Sequence, residues 1–310
     1  MSFEFLRTAA DLRQMTANEA PVVGDIIYRA IARAFRDHGQ PEPIADAEQG
    51  ERIARLYLDL DPEDALVAVR DGRVVAAGFM HVRDEVASLG PVVVDPDSQG
   101  QGLGKLLVDQ LSDRASRCAS TRLFVDAFNT RAFGIVLKRG YLPRDTGIRL
   151  AALGGLAGRG MLQAIAPAPV RDVALGDLEP LARFDRAFFG GSRERDFRAL
   201  FAAGGIGLMA EEGGAIRGYL LGRVEGNLGI VGPGGAESAD LLGKLLARLG
   251  ERLATQANIF LAYLYASQAE VVQEAFSMGF RATNLSVYMV RGADTLVKRP
   301  SAIALPPDVV

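Results

Sequence analysis

The sequence predicts an α/β chain made of two successive copies of one domain, and three observations carry that prediction. Strand-patterned and helix-patterned segments alternate in one order along both halves. Landmarks recur at a nearly constant offset: Gly104-Lys-Leu-Leu107 returns as Gly243-Lys-Leu-Leu246 and Lys138-Arg-Gly-Tyr141 as Ser277-Met-Gly-Phe280, each 139 residues on, while Gly78-Phe79 corresponds to Gly218-Tyr219 at 140. One stretch rich in glycine and proline, Leu153 to Gly160 followed by Pro167-Ala-Pro169, separates the halves. The 310 residues suit about two domains at roughly 150 residues each.

In the first half, apolar residues at Val22, Val23, Ile26, Ile27, Ala30, Ile31 and Ala34 predict an amphipathic helix over 17–36 with Asn18 as its cap. Pro41 and Pro43 break the chain before a second helix over 47–60. Runs at 65–70 and 74–82 read as strands joined by an Asp71-Gly72 hairpin turn. A strand over 86–94, a glycine-rich turn and a helix over 102–118 follow, then a strand at 123–125, a helix over 130–139 and a strand near 147–152. The second half repeats the order, with helices over 177–189 and 193–202, strands at 206–210, 216–224 and 228–231, a helix over 239–254, a strand at 259–264, a helix over 269–278 and a strand at 285–290. Expected boundaries are a first domain over 1–155, a linker over 156–168, a second domain over 169–292 and a tail over 293–310.

Composition narrows the function. Thirty-five basic residues against thirty-eight acidic ones give a net charge of -3 with no basic block, which argues against nucleic acid as a partner. A single cysteine, Cys118, excludes an internal disulfide, and His38 and His81 are too few and too isolated for a metal site. No apolar run reaches the roughly 18 residues of a membrane span, and the first residues lack a signal-peptide pattern. A cytoplasmic protein, monomeric or a homodimer, is expected.

Gln99-Gly-Gln-Gly-Leu-Gly-Lys105 sits between a strand and a helix, where glycines let backbone amides approach a ligand and the helix dipole favours an anion such as a diphosphate. A Walker loop is excluded because Gln99 stands where its first glycine belongs and Leu106 follows the lysine. The dinucleotide pattern starting at Gly100 would place its third glycine on Lys105. What remains is Gln-x-x-Gly-x-Gly on Gln99, Gly102 and Gly104. With the preceding Val92-Val-Val-Asp-Pro96 strand, and with Asn129 and Ala132 ahead of Gly140-Tyr141, the chain resembles the GCN5-related N-acetyltransferases.

That resemblance implies two mixed, mostly antiparallel sheets flanked by helices, acetyl-CoA as the donor and a small-molecule primary amine as the acceptor. It assigns the pantetheine arm to the backbone of Val92, Val93 and Val94, where the strand splays from its neighbour. It assigns the diphosphate to Gly100, Gln101, Gly102, Leu103, Gly104 and Lys105 behind Gln99. Asn129 resembles the residue that hydrogen-bonds pantetheine or amine, and equally caps the helix after it. Two positions depart from the family. Val136 stands where a tyrosine commonly protonates the leaving thiolate, and Ser88 where some members carry an acidic base. Tyr141, Asp126, Glu85, His81 or water relayed from Ser88 are the substitutes. Of these, Ser88, Asp126 and Tyr141 are the expected catalytic residues.

In the second half, alignment through Gly243 turns Gln99 into Ser238, Gly102 into Leu241 and Asn129 into Gln268. A bulky side chain then stands where backbone would meet phosphate, so this copy is expected to be degenerate. Tandem family members divide in the same way into a working and a worn copy, which raises a thiol-sugar amine as an acceptor. The rival reading is a non-catalytic acyl-CoA sensor.

Overall fold

Two glycines decide how the first pair of helices packs. A Cβ on Gly24 of α1 (Ala20–Arg36) would fall 2.4 Å from the Glu51 Cα of α2 (Ala47–Leu60), and one on Gly50 of α2 would fall 2.2 Å from the Gly24 carbonyl oxygen. The helices therefore meet backbone to backbone, which only glycine permits. Val23, Ile26, Ile27 and Phe35 of α1 and Ala54, Tyr57 and Leu58 of α2 turn inward, the one-sided spacing of amphipathic helices. Thr16 and Glu19 form a capping box around a short 3-10 turn ahead of α1, so the cap lies two residues before the expected Asn18. Asp46 caps α2 by accepting the Gln49 N–H at 2.8 Å.

These helices belong to a computed structural model that describes residues 10–153, 170–293 and 300–303. The expected linker over 156–168 lies outside the described residues. The described chain divides into two compact units. The first, residues 10–82, 87–121 and 128–141, carries α1, α2, α3 (Leu103–Arg114) and α4 (Thr130–Leu137), and its strands lie in sheet order β1 (Asp11–Gln14), β2 (Ala65–Arg70), β3 (Arg73–Arg83) and β4 (Val86–Val94). β1 pairs antiparallel with β2 and β2 with β3. The β2–β3 turn places Asp71 at φ +48° and Gly72 at φ +74°, the left-handed pair an Asp-Gly hairpin requires.

The second unit spans residues 83–86, 122–127, 142–153, 170–293 and 300–303. Its strands are β5 (Ser120–Asp126), β6 (Leu142–Leu153), β7 (Val170–Asp172), β8 (Ile206–Glu212), β9 (Ala215–Glu225), β10 (Leu228–Ala236), β11 (Ile259–Tyr265), β12 (Arg281–Gly292) and β13 (Ser301–Ile303), with helices α5 (Leu178–Phe189), α6 (Glu194–Ala202), α7 (Ala239–Leu253) and α8 (Ala269–Ser277). The spatial order is β5-β12-β6-β11-β13-β10-β9-β8-β7. β6 and β12, the last strands of the two sequence copies, pair with each other antiparallel, and β6 also pairs antiparallel with β11. Each final strand is thus inserted next to the other copy's. The sheet is mixed, with β10 and β11 running parallel over Leu228–Val231 and 259–262.

Leu220, Leu245, Leu249, Phe260 and Phe280 anchor the core of this unit. Charged pairs are also buried in this unit, Arg83 with Asp196 and Arg193 with Asp185. Arg193 forks onto both carboxylate oxygens of Asp185 at 2.8 Å each, the Tyr219 hydroxyl also bonds Asp185, and the guanidinium lies 4.4 Å over the Phe189 ring. Burial and the Asp185 charge push the Tyr219 hydroxyl well above its ordinary pKa, so it serves as a donor to the carboxylate.

Gly24→Ala is expected to lower the unfolding free energy by roughly 1–3 kcal/mol, the cost of overpacking a tight contact. Urea titration reads this directly, and an unchanged midpoint would show that α1 and α2 do not meet at Gly24.

Candidate active site

Several contacts within the first unit brace the glycine-rich turn where it leaves β4. Asp95 ends the strand and accepts the Asp97 N–H at 2.9 Å. Arg29 of α1 grips the Asp95 carboxylate at 2.7 Å and holds its pKa below the ordinary value. Gln99 donates from its amide to the Val94 carbonyl at 3.2 Å, closing the turn on itself, and Arg70 bonds Gln101. Gln99 is thereby a turn-forming residue by geometry, with its side chain aimed back at the strand.

Gly100 and Gly102 both stand at φ +85°, a region that a Cβ disfavours. α3 starts directly after, with Gly102 as its N-cap and therefore no side-chain cap bond. The first N–H groups of a helix have no partner inside it, so the amides following Gly102 remain for an external acceptor. Leu103 is buried and seats the first turn, Gly104 is half-buried against Val94, and Lys105 is exposed one residue further on. The second copy differs at the same place. Ser238 caps α7 and its hydroxyl accepts the Leu241 N–H at 3.2 Å, and Lys244 is paired with Asp240 at 2.7 Å.

The other expected residues separate into the two units. Val93 is buried while Val92 and Val94 are half-buried on β4. Asn129 caps α4 by accepting the Ala132 N–H at 3.0 Å, and no described residue engages its Nδ2. Ser88 is buried, and among the described residues its hydroxyl has no hydrogen-bond partner. Tyr141 is fully buried, and its hydroxyl lies 2.9 Å from Ser112 Oγ of α3. That is the geometry of a core tyrosine. Val136, four residues before Gly140, is buried as well. Asp126 lies in the second unit, where its Oδ1 accepts from Asn284 at 2.5 Å and Ser286 at 3.1 Å. Burial raises its pKa against the opposing pull of those hydrogen bonds and of Arg149.

One pair was not anticipated. His81 of β3 is buried with Nδ1 2.7 Å from Asp61 Oδ2, and its ring stands edge-on to Tyr57 at 4.8 Å. A carboxylate at Nδ1 holds an imidazole in one tautomer. His81 and Ser88 stand symmetrically about the Asp84-Glu85 turn, each three residues from it, on neighbouring strands.

Residues 26–141, which contain this turn, match the model of the Acetyltransferase (GNAT) family. The match covers the first copy's helices, its glycine-rich turn and the start of α3. A mycothiol acetyltransferase of Saccharopolyspora erythraea is 34% identical over 128 residues, covering 40% of this chain and 41% of that relative, so the chain spans about two fifths of the length of the curated relative it matches. Among solved structures, a GCN5-related N-acetyltransferase from Sphaerobacter thermophilus superposes with a TM-score of 0.65 at 20% identity, over 92% of this chain and 97% of that one. A tandem GNAT protein from the clavulanic acid biosynthesis pathway gives 0.60 at 14% identity, over 92% and 98%. The fold is that of a tandem GNAT chain, α/β with mixed, mostly antiparallel strands. No helix among the described residues is long and apolar enough to cross a membrane.

Asp126 makes a pH-dependent contribution to stability. Because folding raises its pKa, the folded chain holds the proton more tightly than the unfolded one, and this stabilisation, full below the unfolded value of about 4, is lost as pH rises through the raised value. Asp126→Asn keeps an oxygen for Asn284 and Ser286. It is expected to melt progressively higher relative to the native chain as pH climbs from about 4 towards neutrality. A melting-point difference that is flat with pH would show that the charge is held at no cost.

Proposed function

We propose that this chain is an acetyl-CoA-dependent N-acetyltransferase whose first copy binds the donor and whose acceptor is a primary amine on a small molecule. The observation that carries the reading is the uncapped start of α3 behind two left-handed glycines, set against the Ser238-capped start of α7. Amides converging on one point without a side-chain acceptor suit a diphosphate, and the Lys105 charge adds to the attraction. The β4 backbone at Val92, Val93 and Val94 would receive the pantetheine arm, with Asn129 Nδ2 reaching it from the start of α4. The family match over residues 26–141 supports the same donor. Domain limits of 1–155 and 169–292 for the two copies belong to this proposal.

Bound acetyl-CoA supplies a thioester carbonyl, and the reaction joins the amine nitrogen to that carbon while the carbon–sulfur bond breaks. The amine must be neutral to attack, so a group that takes its proton is needed. His81, oriented by Asp61, is the residue best built for that task, with the Ser88 hydroxyl as a relay. A main-chain N–H of β4 near Val93 would stabilise the carbonyl oxygen as charge develops. The departing thiolate, with a pKa near 8.5, needs little help at or above that pH. Tyr141 has no part in this scheme, because its hydroxyl is buried against Ser112. Relatives named mycothiol acetyltransferase make mycothiol precursors the first acceptors to try.

Acetyl-CoA is expected to bind at one equivalent per chain by calorimetry. Gly102→Leu, copying Leu241, should weaken binding at least roughly 100-fold by filling the anion site. Gly104→Val, at a position without left-handed strain, should weaken binding as well, so that the loss in Gly102→Leu is not backbone strain alone. Wild-type affinity in both variants refutes the assignment of the turn.

Amine-dependent thiol release should fall roughly 100-fold in His81→Asn. The shape of the pH–rate profile should also differ between the native enzyme and the variant. Tyr141→Phe should leave the pH profile unchanged. A His81→Asn enzyme with the native profile would exclude His81 as the base.

A further inference from the structure

β10 and β11 start side by side and then part. Leu228–Val231 pairs in parallel with 259–262, and the pairing of β10 with β9 shifts register between Val231 and Gly234. A wedge between diverging strands presents main-chain N–H and C=O groups on both lips, and buried groups of this kind need partners. β13 enters that wedge. Ser301 and Ala302 lie opposite Gly235 and Gly234 of β10, and Ala302 and Ile303 lie opposite Leu264 and Tyr263 of β11, antiparallel to both strands. The Ala236 N–H donates to the Pro300 carbonyl at 3.0 Å. Gln268, at the start of α8, holds the inserted strand twice. Its Oε1 accepts the Ser301 N–H at 3.0 Å and its Nε2 donates to Ser301 Oγ at 3.0 Å.

These contacts fall on particular positions. Gly90-Pro91 of β4 recurs as Gly232-Pro233 of β10, so Gly234, Gly235 and Ala236 stand where the first copy has Val92, Val93 and Val94, and Gln268 stands where it has Asn129. The inserted strand therefore uses the backbone positions and the helix-start amide that the first copy offers to an extended, amide-bearing arm. We propose that Pro300–Ile303 is the built-in occupant of the second copy's pantetheine groove and keeps an acyl-pantetheine out of it. A short peptide can do this because pantetheine is itself a chain carrying two amides, able to pair with a strand edge as a β-strand does. The inference rests on reading the first copy as the acetyl-CoA site. It goes beyond that reading by assigning the second copy's silence to the tail as well as to Ser238 and Leu241.

S-acetylpantetheine, which lacks the diphosphate, separates the two causes. By equilibrium dialysis the full chain is expected to bind one equivalent and a chain ending at Arg299 two, with a free peptide of residues 300–310 competing for the second. A truncated chain that retains its circular dichroism yet gains no equivalent overturns the proposal, as does simultaneous binding of peptide and S-acetylpantetheine. If truncation unfolds the chain, Gln268→Ala in the full chain replaces it. Losing both side-chain bonds should speed exchange of the Ser301 amide by roughly tenfold or more and admit a second equivalent. Unchanged exchange, or faster exchange with no second equivalent, overturns the proposal. Failure of the first-copy reading looks different, with no binding in the full chain and one equivalent after truncation.

Discussion

Main-chain N–H and C=O groups must find partners wherever water cannot reach them, and the two copies meet this requirement in opposite ways. At the start of α7 a serine hydroxyl takes the Leu241 amide, and the wedge between β10 and β11 is filled by Ser301–Ile303. At the start of α3 glycine occupies the capping position and brings no acceptor. On the proposed reading the second copy meets the requirement within its own chain, and the first leaves it to the diphosphate and pantetheine of a bound donor. A few side chains at one strand-to-helix turn make that difference.

The exchange of final strands gives the duplication a structural reason. β6 pairs along most of its length with β12 on one side and β11 on the other, so a strand coded by the first copy is buried in the second unit. A worn copy can lose its ligand chemistry and still be retained, because its strands supply hydrogen-bond partners for β6. Asp126 shows the consequence at side-chain level, since its partners Asn284 and Ser286 both come from β12. Substitutions on β12 therefore reach a carboxylate that lies next to the first copy's sequence motifs.

Local pattern carried much of this into the sequence. α2, β2 and β4 occupy the ranges that periodicity predicts, and the Asp71-Gly72 turn has the left-handed angles its residues imply. The glycine spacing of Gln99 to Gly104 made a tight turn into α3 legible, because left-handed backbone at Gly100 and Gly102 is what glycine supplies. Partnership was less legible. The apolar pattern near 147–152 says that a strand is there, yet nothing local tells it to pair with β11 and β12, and its start at Leu142 lies among exposed residues. β13 is three residues long in a proline-rich end, too short to show alternation. His81 stood among several substitutes with nothing local to single it out, because Asp61, its partner, lies twenty residues away just past the end of α2. Tyr141 looked available as an acid, and only packing against Ser112 shows where its hydroxyl is spent.

The central claim is that one helix start, and not its counterpart, receives the donor's diphosphate. Amide hydrogen exchange with and without CoA tests it residue by residue. The account predicts that CoA slows exchange at Gly102, Leu103, Gly104 and Lys105 while leaving Ala239, Asp240 and Leu241 at their unliganded rates. Slowing at 239–241, or no change at 102–105 under saturating CoA, would contradict it.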